Sequence, residues 1–295
     1  MESNMSENLQ PFEIQREALA ERLKLKDQWA SQVKMLNEAG VLELLPESQE
    51  LGIIGIDGQE YAIPSYEQIL GRITQGKAEI LENQTENGYK QLILTPFAMP
   101  LRQLCKLVEG SFKKVLSENQ VVDAYGSDER INSDNFIEDN GNILDSDING
   151  EMVYYPNSDD SKDGLTKIDC IKENGGWEID FIAKEPQKYI QDINKQKKAM
   201  VQGGFRGLTL ESWLTQSMNF FQNEKKFSDY LEPCLLAGSS LREKRTIPAA
   251  WFADNRSNYK GKYLVIKTLE ENRNQNKAFG GFSQTDGNAR FSVNL

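Results

Sequence analysis

The sequence predicts an α+β fold, and two observations carry that expectation. Segments 100–117 and 209–222 repeat apolar residues at helical spacing along one face. Short runs rich in strand-forming residues, YKQLILT (89–95), GGWEIDFIAKEP (175–186), IPAAWF (247–252), KYLVIKT (262–268) and ARFSVNL (289–295), alternate with polar, Gly- and Asn-rich stretches.

In chain order, residues 11–45 read as helix. Ile14, Ala18, Leu19, Leu23, Trp29, Val33 and Leu36 recur near every 3.6 residues, with Glu13, Glu17, Glu21, Lys24 and Lys34 on the wet side. Gly40 is a break and Pro46 a stop. The heptads do not run cleanly, so a helix or helix pair packed on the domain is expected rather than a coiled coil. Residues 1–50 are thus an N-terminal helical extension. In LGIIGIDGQEYAIPS (51–65) a hairpin turns at Asp57-Gly58, and 65–82 looks helical, weakened by Gly71 and Gly76. Residues 51–87 form a connector of hairpin and helix.

The main domain is expected over 88–295. After the 89–95 strand, Pro100 opens a helix whose face carries Leu101, Leu104, Cys105, Val108, Phe112 and Val115. An acidic insert spans about 118–165, with a hairpin from Asn142–Leu144 through Asp145–Gly150 to Glu151–Tyr155. Residues 187–200 read as a short lysine-rich helix. Thr209 caps the next helix, faced by Leu210, Trp213, Leu214, Met218 and Phe221.

Composition excludes several functions. The 295 residues contain no histidine, which removes Ser-His-Asp and Cys-His catalysis and every zinc site that needs imidazole. Cys105, Cys170 and Cys234 are far apart, and Cys105 sits on an apolar helix face as a buried thiol. The net charge of −11 is matched by the acidic insert alone, where thirteen Asp and Glu meet only Arg130 and Lys162. No basic stripe exists, so nucleic acid is not an expected partner. No apolar run is long enough for a membrane span, and the polar start MESNMSENLQPFE lacks the features of a secretory signal. Cytoplasmic residence is the expectation. Carboxylate or lysine chemistry stays possible, but a non-enzymatic role is favoured.

Two motifs suggest ligands. Asp145-Ser-Asp147-Ile-Asn149-Gly150 has the alternating oxygens and glycine of the first half of a calcium loop, but the twelfth position is Pro156 rather than a bidentate Glu. Calcium on Asp145, Asp147 and Asn149 is one reading, and an Asx-Gly turn is the other. Gly203–Gly207 lacks the context of a phosphate loop and reads as a flexible connection. The second motif is C-terminal. PAAWFADNRSNY (248–259) and the Asn- and Phe-rich stretch 271–288 combine rigid rings with adaptable amides, the composition of a contact surface. The alternative is a polar loop with buried aromatics.

The segments IDGQEYAIPSYEQIL (56–70), LTPFAMPLRQL (94–104), NGEMVYYP (149–156), GGWEIDF (175–181), GLTLESWLTQ (207–216), IPAAWF and NARFSVNL resemble a protein family of candidate-phyla bacteria. The ending is similar to the C-type-lectin-like module of variable proteins of diversity-generating retroelements. In these a Trp-bearing strand, loops and a terminal Gly-x-Arg-Ser-x-Val close the sheet. Trp251 and Gly287-Asn-Ala-Arg290-Phe-Ser292-Val293 are the counterparts, with one extra residue before Arg290 and Phe291 inserted after it. The resemblance implies a C-type-lectin-like domain, related in fold to formylglycine-generating enzymes, in which template adenines are miscopied and Asn codons diversified. Helices 100–117 and 209–222 and strands 89–95, 175–183, 263–268 and 289–294 would build it, with Leu264, Ile266 and Val293 facing the core.

The resulting expectation is a variable protein that binds a protein or surface-glycan ligand through Trp251, Phe252, Asp254, Asn255, Arg256, Asn258, Tyr259, Asn272, Arg273, Asn274 and Asn276. Trp251 has a core alternative. Two other classes stay open: an assembly protein that oligomerises through residues 11–45, and an enzyme of the same fold relying on Cys234.

Overall fold

The computed structural model describes residues 9–85, 88–118, 136–140, 142–155, 164–190, 199, 201–229, 232–242, 246–254, 262–269 and 287–295. The architecture is α+β. Of the helix or helix pair read at the N-terminus the structure has the pair, α1 (Leu9–Arg22) and α2 (Leu25–Glu38). Lys24 between them takes a left-handed backbone, φ 51°, which no continuous helix tolerates. Gly40, φ 72°, ends α2, and the Val41 amide donates back to Leu36 O, a Schellman-type closure that needs glycine.

A three-stranded antiparallel sheet follows, β1 (Glu43–Leu44), β2 (Leu51–Ile54) and β3 (Glu60–Ala62), in that order. Its hairpin turns at Asp57-Gly58 as expected, with Gly58 at φ 76°. Helix α3 (Tyr66–Arg72) opens with a capping box between Ser65 and Gln68. Helix α4 (Gln75–Thr85) comes next. Gly71 and Gly76 both lie inside these helices, and the break falls at Ile73, whose backbone is extended.

The main domain has two larger sheets. β4 (Tyr89–Thr95), β7 (Glu178–Ala183), β15 (Phe291–Asn294) and β9 (Arg206–Gly207) form an antiparallel four-stranded sheet in that order. The six-stranded sheet runs β5 (Ile137–Asn140), β13 (Lys262–Leu269), β12 (Ile247–Asp254), β10 (Cys234–Leu235), β14 (Gly287–Ala289), β8 (Gln187–Ile190). A pair joins β6 (Met152–Tyr154) to β11 (Ser239–Leu241). Helices α5 (Leu101–Glu118), α6 (Lys167–Asn174) and α7 (Leu210–Glu224) complete the domain. α7 lies against α5, β4 and β12.

Rings fill the space between α5, α7 and the six-stranded sheet. Phe112 stacks on Phe227 at 5.4 Å, Trp213 on Phe252 at 5.6 Å, and Phe112 meets Phe221 at 4.3 Å. Leu264, Ile266 and Val293 are fully buried, as expected. Cys105 is fully buried too.

Two segments differ from expectation. Residues 187–190 are strand β8, antiparallel to β14, rather than helix; of the rest of 187–200 only residue 199, which is helical, is described. Residues 142–155 do not fold back as one hairpin. Ile143–Asp145 is a 3-10 turn, and β6 takes its partner β11 from nearly ninety positions away. The N-terminal helices are structural parts of the domain. Gln28 accepts from the Leu92 amide at 2.7 Å and donates to Lys90 O at 2.8 Å, and Gln32 accepts from the Leu94 amide. These amides satisfy the outer edge of β4, which would otherwise be open to pairing.

Candidate functional site

The β12–β13 hairpin separates two of the expected contact residues. Alternation along β12 sends neighbouring side chains to opposite faces. Phe252 points inward, has no exposed surface and touches four other rings of the core. It is therefore a core residue and not a contact residue, a correction that follows from strand period. Trp251 lies on the other face of β12, half-buried against the core, with the Lys267 ammonium 5.8 Å from its ring centroid. Asp254 closes β12 opposite Lys262. Asn255, Arg256, Asn258, Tyr259, Asn272, Arg273, Asn274 and Asn276 lie outside the described residues.

Register locates the points from which those segments depart. Cys234 pairs with Ala250 on one side and Asn288 on the other, and β14 is parallel to β10 while β12 is antiparallel to it. The chain therefore enters β14 at the same end of the sheet where Asp254 faces Lys262. Leu269 lies at the opposite end, paired with Ile247. Arg290, the arginine of the terminal motif, is the corner between β14 and β15. It is buried and makes a two-pronged bond to Asp229 at 3.0 and 3.1 Å, with two further bonds to the carbonyls of Ala183 and Lys184. Trp213 Nε1 donates to the same Asp229 at 2.8 Å.

The half calcium loop is committed to other partners. Both oxygens of Asp145 accept from Arg102, at 2.5 and 2.7 Å, and the guanidinium holds this carboxyl below its ordinary range. Asp147 is buried, and its Oδ2 accepts from the Leu101 amide and from Lys167. Asn149 accepts from the Glu151 amide, an Asx turn. Among the described residues no group of three His, Cys, Asp or Glu could hold a metal ion. Arg102 of α5 and Lys167 of α6 thus engage the two carboxylates, and Asn149 makes the Asx turn.

Two buried polar clusters were not anticipated from sequence. The first lies on the four-stranded sheet. Arg206, inside the stretch read as a flexible connection, is 5% exposed and bridges Asp180 (2.8 Å) and Glu178 (3.0 Å). Ser212, Thr209 and Ser292 complete the hydrogen bonding of the two carboxylates. Burial raises the Glu178 pKa, only partly countered by Arg206. Burial lowers that of Arg206, but Asp180 and Glu178 outweigh it and hold the guanidinium above its ordinary range. A signal was available: Glu178 and Asp180 alternate along an otherwise apolar strand, and two carboxylates on one buried face demand a cation. The neighbouring Gly207 and Gly238 backbones approach so closely that neither position has room for a Cβ.

The second cluster joins Lys167, Asp147, Glu211 and Tyr154, and no local pattern marks it. Beside the two clusters opens a cleft of about 420 Å³, lined by residues that include Phe97, Tyr154, Cys170, Trp177, Glu178 and Arg206. Burial pushes the Cys170 thiol up to about 12. Cys234 is fully buried, and burial with the Asp229 charge raises its thiol well above the ordinary value. Neither sulfur is an activated thiolate.

No family model, curated protein or solved structure matches this chain. Among the described residues no helix is long and apolar enough to cross a membrane.

Proposed function

We propose that the protein binds a protein or surface-glycan ligand through a C-type-lectin-like domain whose C-terminal segments are diversified by a retroelement. The contact set is Trp251 with Asp254, Asn255, Arg256, Asn258, Tyr259, Asn272, Arg273, Asn274 and Asn276. One observation carries this reading. The inward face of the supporting hairpin is closed by Ala250, Phe252, Leu264 and Ile266, all fully buried, and none of them belongs to that set. Contact residues can then change without opening the core, which is the physical requirement for a diversified surface. The half-buried Trp251 supplies a rigid ring beside them.

Deep sequencing of codons 240–295 across a natural population, with the adjacent DNA, tests the reading. The expected pattern is clustered non-synonymous change at the Asn codons of the set, beside a near-copy repeat and a reverse transcriptase. The codons for Ala250, Phe252, Leu264, Ile266 and Arg290 stay constant in that pattern. A uniform sequence with no repeat, or change spread equally over the buried positions, removes the retroelement and leaves only a lectin-like scaffold as the proposal.

The rival readings find less support. An oligomerising role for residues 11–45 competes with the burial of Leu25, Gln32, Met35 and Leu36 of α2 within the domain. An enzyme using Cys234 would need a thiol that solvent reaches.

A further inference from the structure

Lys167, Asp147 and Glu211 meet with no exposed side-chain surface on any of them. Lys167 Nζ donates to Asp147 Oδ2 at 2.8 Å, Glu211 Oε1 at 2.9 Å and Met99 O at 2.7 Å. The walls are aromatic. Phe97 has its ring centroid 5.4 Å from Nζ, and Tyr154 Oη donates to Glu211 Oε1 at 2.7 Å. Asp147 Oδ2 also accepts from the amide of Leu101, the first residue of the 18-residue helix α5. Two carboxylate oxygens, Asp147 Oδ1 and Glu211 Oε2, are buried and unpartnered.

This arrangement is costly as an ion triad. Two carboxylates face one ammonium, so a negative charge is left over in a site closed to water, and two acceptors go unused. The ammonium of Lys167 and the carboxylate of Asp147 lie side by side, with a second carboxylate touching the ammonium. A C–O bond is about 1.2 Å, which puts Nζ no more than about 4 Å from Asp147 Cγ, close to attack distance.

We infer that Lys167 and Asp147 join in an intramolecular isopeptide bond, with Glu211 as the proton relay. Glu211 Oε1 takes a proton from Lys167 Nζ and passes it to Asp147 Oδ1. The freed lone pair attacks Asp147 Cγ, and the charge that develops on Oδ2 meets the Leu101 N–H at the positive end of α5. Glu211 then takes the second proton from Nζ and passes it to the Oδ1 hydroxyl, the Cγ–Oδ1 bond breaks, and one water leaves. The product is a neutral amide with Oδ2 as its carbonyl oxygen, and Glu211 is restored. No oxidant or co-reactant is needed. Removing a buried ion pair and expelling the water favours the amide in this site, although bulk water favours hydrolysis. Glu211 is the catalytic residue, and Tyr154 is a positioning residue that fixes its carboxylate.

Mass spectrometry of the full-length folded chain is the test. The expected intact mass is about 18 Da below that of the sequence, one water, with a branched proteolytic peptide joining the segments that carry Asp147 and Lys167. Asp147→Asn should still cross-link but release ammonia, leaving that variant about 17 Da below its own sequence mass. Lys167→Arg should show the full mass. A folded wild-type chain at full sequence mass overturns the inference, because the triad is then only an ion cluster. A deficit that maps to Asp57-Gly58, where a succinimide also loses water, overturns it equally. The wild-type measurement decides the matter even where a variant does not fold.

Discussion

Helix α7 is buried on two sides by different means. Toward the six-stranded sheet it offers Trp213 and Phe221 to Phe112, Phe227 and Phe252, so that side is held by ring packing. Toward the four-stranded sheet it offers its Thr209 cap and Ser212 to Glu178 and Asp180, with Arg206 closing the charge. The aromatic side depends on volume, and its loss grows with the cavity left behind. The polar side depends on every member being present, because one missing partner strands a desolvated charge.

The sharpest way to break the comparison is Arg206→Ala. It leaves Asp180 and Glu178 buried without their cation, and a loss of about 3–5 kcal/mol is expected in chemical denaturation. Phe252→Ala should cost a comparable or slightly smaller amount, about 3–4 kcal/mol, through a cavity among four rings. Its neighbour Trp251→Ala should cost less, about 1 kcal/mol, since Trp251 is only half-buried. Equal losses at the two positions would show that the Trp251 face is sealed as tightly as the Phe252 face. Thr209→Ala removes both the α7 cap and a donor to Glu178, for about 1–2 kcal/mol by thermal or denaturant melts.

The smallest effect expected is in the pH dependence. Burial raises the Glu178 pKa, so the folded chain keeps this proton to a higher pH than the unfolded chain does. Its contribution therefore favours the fold at low pH and is lost as pH rises from the ordinary value of 4.5 through the raised one. Melting curves between about pH 4 and 7 should be flatter for Glu178→Gln than for wild type across that window. An unchanged slope would mean that Arg206 compensates the burial in full.

Much of the frame is legible in the amino-acid sequence. α5 and α7 lie where their apolar faces put them, and Thr209 caps α7 by accepting from the Ser212 amide. β4, β7 and β13 match their expected runs within a few residues. The candidate site is less legible. Trp251 and Phe252 look alike in sequence, and the choice between them depends on which face of β12 meets the helices. Asp145 and Asp147 look like calcium ligands in the sequence, and the structure pairs them with Arg102 and Lys167.

The division has a physical cause. Helical periodicity, caps and tight turns are set by residues within about four positions of one another, so the sequence by itself determined α5, α7 and the Asp57-Gly58 hairpin. Strand β8 needed β14, the edge of β4 needed Gln28, and the fates of Asp147 and Glu211 needed Lys167. Those partners lie 20 to 100 positions apart. Only the tertiary structure decided them, because a buried charge or an open strand edge is satisfied by whatever the fold brings near it, not by its neighbours in the chain.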